Sequence, residues 1–111
     1  MIATFAMYDW PEQSDHWDIF WTLLRKELTA RGIAAPKRLS RGGDVDAYWT
    51  APDLVVGQTC GLPYRARLHD DVTLIGALDH GLPGCPPGYY NSVVIMRADD
   101  ARGLRAALSE T

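Results

Sequence analysis

The sequence predicts an α/β fold, a mostly parallel sheet flanked by helices. Three observations point there. Apolar runs at residues 2–7, 53–58, 72–78 and 92–97 are apolar nearly throughout rather than alternating, as in strands covered on both faces. Segments with helical spacing or helix-start signals lie between them, in the order β-α-β-α-β-α-β-β-α. The balance of 47% hydrophobic and 23% charged residues over 111 residues is that of a folded domain. A chain of this length buries about two-thirds of its unfolded surface without help from metals. Residues 1–111 therefore read as a single α/β domain.

The elements follow in order. Ile2 to Met7 reads as a buried strand entering the loop Tyr8-Asp9-Trp10-Pro11. Trp17, Phe20, Trp21, Leu24 and Leu28 then fall on one helical stripe, more simply core than a ligand platform. Ser14 or Asp15 can cap this helix, and Gly32 followed by Pro36 ends it. Lys37 to Ser40 reads as a short strand, broken by Gly42-Gly43. A short helix runs from Gly43 or Asp44 to Trp49 and stops at Pro52. The second strand, 53–58, enters the turn Thr59-Cys60-Gly61-Leu62-Pro63, which opens a helix to about Leu68. Residues 72–78 and 92–97 are the third and fourth strands, separated by a Gly- and Pro-rich loop at 79–91. A last helix starts at Asp99-Asp100.

Composition excludes several classes. The longest apolar runs are far too short to span a bilayer, so no membrane insertion is expected. The net charge is −3, with 6 basic and 8 acidic residues in the first 55 and 5 and 6 in the rest. No basic half exists, so nucleic acid is not an expected partner. Lys37, Arg38 and Arg41 form the only basic cluster and read as a solvated loop. The start of the chain has no positive region and too short an apolar stretch for a signal peptide, which predicts a cytoplasmic protein or a trimmed start.

Chemistry in an open α/β sheet gathers off the carboxyl ends of the strands. Three segments belong there: Met7-Tyr8-Asp9-Trp10, Gln58-Thr59-Cys60-Gly61, and residues 79–92. In the second, free amides at a helix start suit an anion, with Thr59 and Gln58 adding donors and Gly61 permitting close approach. The plainer alternative is that Thr59 only caps the helix. Tyr89, Tyr90 and Ser92 offer hydroxyls to a ligand, or are tyrosines half-buried at a strand start. His80 and Cys85 stand five apart, match no zinc spacing and lack a second Cys pair, so no metal is expected. No third group orients a Cys–His pair, and no nucleotide or hydrolase motif is present, so neither an enzyme nor a cofactor is expected. Cys60 and Cys85 are better used as a disulfide in an oxidising compartment, worth about 3–4 kcal/mol in the chain-entropy model.

Taken together, Met7-Tyr8-Asp9-Trp10-Pro11, Trp49, Pro52-Asp53-Leu54, Gln58-Thr59-Cys60-Gly61, Pro83-Gly84-Cys85, Tyr90-Asn91-Ser92, Val93-Val94 and Arg97-Ala98-Asp99-Asp100 form an ordered set. In that order and spacing the chain resembles the phosphate/phosphite/phosphonate substrate-binding proteins of ABC transporters. The resemblance implies a type 2 periplasmic-binding-protein fold, in which two α/β lobes close on an oxyanion without catalysis. Carried over by position, Tyr8, Gln58, Thr59, Cys60, Gly61, Tyr90 and Ser92 would donate hydrogen bonds to a phosphate, phosphite or phosphonate. A transporter permease would be the partner of an exported, periplasmic form. The chain ends at Thr111, before the second lobe and the return that completes the first, so it reads as an incomplete first lobe. That predicts weakened anion affinity and apolar surface that drives a symmetric homodimer. The alternative function is a self-associating interaction domain that has lost its ligand.

Overall fold

The computed structural model describes residues 1–109. It contains helices and a small two-stranded parallel sheet, so helix and strand are mixed as expected. The chain divides into two compact units, Met1–Leu74 and Ile75–Thr111, where the sequence reads as one domain.

The first unit holds the sheet and the core. Strand β1 (Ile2–Thr4) pairs in parallel with β2 (Leu54–Gly57), Ala3 opposite Val56 and Thr4 opposite Gly57. Parallel neighbours need a crossover, and helix α1 (Ser14–Ala30) lies within it. Its stripe meets the sheet as the spacing requires. Ala3, Phe5, Trp21, Ala35 and Leu39 are buried, with Trp17, Phe20, Leu24, Leu28, Val55 and Val56 packed around them. Phe5 is the hub of the aromatic contacts, stacked on Trp17 at 5.0 Å and edge-on to Phe20 at 5.5 Å and Trp21 at 6.4 Å.

The ends of α1 differ from one another. At the start, Pro11–Gln13 make a single 3₁₀ turn and no side chain caps the helix. Neither Ser14 nor Asp15 is the cap. The Ser14 hydroxyl donates instead to the Asp9 carboxylate at 2.9 Å. At the end, Gly32 takes φ +76°, a left-handed conformation that glycine adopts without strain. The amides of Gly32 and Ile33 then reach back to the Thr29 and Leu28 carbonyls, both at 3.0 Å.

The predicted strand at 37–40 does not form. Ser40 is hydrogen-bonded to β1, donating its amide to Ala3 O at 2.7 Å and accepting the Thr4 hydroxyl at 3.1 Å. Gly42 and Gly43, both at positive φ, turn the chain away before a ladder can extend. Helix α2 (Val45–Trp49) forms where expected, and the Asp44 carboxylate caps the Asp46 amide at 3.0 Å. After β2, helix α3 (Gly61–Pro63) continues into a π-helical turn over Tyr64–Leu68. No helix among the described residues is long and apolar enough to cross a membrane.

Among the described residues the second unit carries one regular element, helix α4 (Leu104–Ser109), which starts later than the Asp99-Asp100 expected; the expected end of that helix lies outside the described residues. The predicted strands at 72–78 and 92–97 are not formed. Most of their apolar residues face solvent: Ile75 is 82% exposed, Val93 81% and Ile95 86%. A strand is stabilised by its neighbour, and among the described residues these runs have none. Local order there comes from polar turns, such as the Asp79 carboxylate accepting the Gly81 amide at 3.0 Å.

Candidate functional site

Because β1 and β2 are parallel, the segments that follow them leave the same end of the sheet. The loop after β1 folds back at once, with the Tyr8 and Asp9 amides both donating to Phe5 O. The segment after β2 starts with the Gln58 amide on Thr4 O at 3.1 Å and the Gln58 carbonyl on Trp49 Nε1 at 3.1 Å. The two segments touch where the Cys60 amide donates to Met7 Sδ at 3.3 Å. The structure thus brings the backbones of Tyr8 and of Gln58, Thr59, Cys60 and Gly61 to one edge, as the strand order predicts.

The turn's polar groups are in an unusual state. Thr59 does not cap the helix. Its hydroxyl donates to the Cys60 carbonyl at 3.3 Å, and Cys60 is the N-terminal boundary residue of α3 with no side-chain cap. The plain capping role is therefore not the one Thr59 plays. Among the described residues the Cys60 amide bonds only a thioether, a weak acceptor. Gln58 Oε1 is buried and has no partner among the described residues. Space beside the Gly61 Cα is open, with nothing within 4 Å of where a Cβ would stand. Tyr8 is 41% exposed, and its carbonyl is held by Trp17 Nε1 at 2.9 Å.

Tyr90 and Ser92 belong to the second unit, where both are exposed in a stretch without regular structure. Cys60 and Cys85, the pair expected to form a disulfide, are both free, half-buried thiols. Each cysteine is placed by its own turn, Cys60 through Met7 and Cys85 through its amide on Leu82 O at 3.1 Å. No three His, Cys, Asp or Glu side chains gather into a metal-binding group among the described residues.

Sequence reasoning missed one feature beside this edge. Asp9 follows Tyr8, and its side chain is only 1% exposed. It forms an ion pair with Arg41 Nε, and Arg41 Nη1 also reaches Asp18 Oδ1 at 2.9 Å. A third bond runs from Arg41 Nη2 to Ser14 O at 3.2 Å. The hydrogen bond to the Asp9 carboxylate raises the Arg41 pKa most; burial opposes it, and the bond to Asp18 adds to the rise. Arg41 is therefore no member of a solvated basic loop. Nothing local could have revealed the pair, since its residues stand 32 apart in sequence.

No protein-family model, curated protein or solved structure matches the chain.

Proposed function

We propose that the chain is the anion-contacting part of a substrate-binding protein, taking a phosphate-like or phosphonate oxyanion at residues 58–61 without catalysis. The observation that carries this is the Cys60 amide, opening a helix at the carboxyl end of a parallel strand and bonded only to sulfur. An oxyanion oxygen is a far stronger acceptor than a thioether and would displace it. The helix is too short for its dipole to matter much, so directed amides supply the attraction. Gln58, with an unused buried acceptor, adds a site for the hydroxyl of a protonated oxyanion. The order of the Tyr8, Gln58-Thr59-Cys60-Gly61 and Tyr90-Asn91-Ser92 segments supports a type 2 periplasmic-binding-protein lobe serving an ABC transporter.

The test is an NMR titration of ¹⁵N-labelled protein with inorganic phosphate, phosphite, methylphosphonate and sulfate at low salt. The expected result is saturable movement of the Thr59, Cys60 and Gly61 amides with one anion preferred. Identical small shifts with every salt, spread over the chain, would overturn the proposal.

A second reading has its own observation. Val93, Val94 and Ile95 form an exposed apolar run in the second unit, a surface of the kind that drives association. On this reading the protein is a self-associating domain, most simply a symmetric homodimer.

A further inference from the structure

We infer that Arg41 is a positioning residue, holding the loop at residues 7–10 where Met7 meets the Cys60 amide; its importance for anion binding rests on the function proposed above.

The guanidinium fork contacts three acceptors on two segments. Nε bonds the Asp9 carboxylate in the loop, while Nη1 and Nη2 bond Asp18 and Ser14 O on the first turns of α1. Asp9 is itself tied to the same helix by the Ser14 hydroxyl. The loop is thereby pinned to α1 through a buried carboxylate rather than a surface ion pair. Trp17, one turn into α1, adds a second tie through its indole N–H on Tyr8 O. Tyr8 lies between Met7 and Asp9, so both ties act on the peptide units that set where the Met7 side chain begins. A planar fork with three fixed donors specifies direction in a way that the single ammonium of lysine does not. Among the described residues no bond joins Arg41 to Cys60 or Gln58, so its effect on the turn passes through the loop.

Two signals in the anion-free protein read this directly: the Trp17 indole N–H and the Cys60 amide. In Arg41→Gln, hydrogen exchange at the Trp17 indole should speed up about tenfold as the loop opens locally, and the Cys60 amide resonance should move. Phosphate affinity should fall about tenfold, the scale of one lost charge-assisted bond. Arg41→Lys keeps the charge and loses the fork, and it should show the same changes to a smaller degree. It also serves if the glutamine variant fails to fold. Unchanged Trp17 and Cys60 signals in a folded Arg41 variant would overturn the inference. Changed signals in a protein that binds no anion would instead support the clamp and overturn the proposed function.

Discussion

Gln58 carries a conflict that a single side chain can resolve. Its Oε1 is buried without a donor, and such a group lowers stability by about 1–3 kcal/mol. Gln58→Leu removes the orphan acceptor while filling similar space. Urea unfolding followed by circular dichroism should therefore show equal or higher stability, by up to about 1 kcal/mol. The same variant should respond to phosphate more weakly, because the turn amides remain but the Gln58 side chain does not. A marked loss of stability would mean that the amide is structural. At this scale, the candidate turn was readable because Gln58, Thr59, Cys60 and Gly61 are contiguous and follow an apolar run. The Asp9–Arg41 pair was not, because its meaning arises only when residues 32 apart are brought together. Burial of Asp9 is a tertiary fact, and an aspartate beside Tyr8 in a sequence looks like any other loop residue.

Elements that complete their own hydrogen bonding were the legible ones. Helix α1 is written in a five-residue stripe and a glycine stop, and it forms with both. The expected cap does not form, because the Ser14 hydroxyl donates to Asp9 and to Trp10 O rather than accepting a helix amide. Strands at 72–78 and 92–97 have the right composition, but composition supplies no partner, and the sheet stays two-stranded. In place of a ladder, the 79–91 loop is ordered by carboxylate-to-amide bonds. The Gly81 amide, then the Gly88 amide, holds the exposed Asp79 carboxyl below its ordinary pKa. A carboxyl depressed in the folded state contributes above its unfolded pKa, and the contribution is lost as pH falls through the folded value. The Gly81 amide shift should therefore be flat at neutral pH and move at a midpoint below about 3.9. A midpoint at or above the ordinary aspartate value would show that this bond does not persist in solution.

For the whole molecule, the division into two units separates the well-formed core from the exposed apolar run. The buried cluster from Ala3 to Leu39 lies wholly within Met1–Leu74. The exposed Val93, Val94 and Ile95 lie in the other unit. Self-association through that run should give a scattering mass that doubles as concentration rises. Val94→Asp should return it to the monomer value without weakening the core of the first unit. A constant monomer mass at high concentration in the unaltered chain would remove the second functional reading.

The four tryptophans divide by environment in a way that makes the protein its own optical gauge. Trp10 is 64% exposed, whereas Trp21 and Trp49 are buried. Iodide should quench Trp10 emission readily and leave a blue-shifted remainder from the other two. Trp17 stands between these extremes, stacked on Phe5 and bonded to the Tyr8 carbonyl. Its fluorescence lifetime is thus coupled to the loop at 7–10, and movement there becomes visible in the emission of a dilute, unlabelled sample.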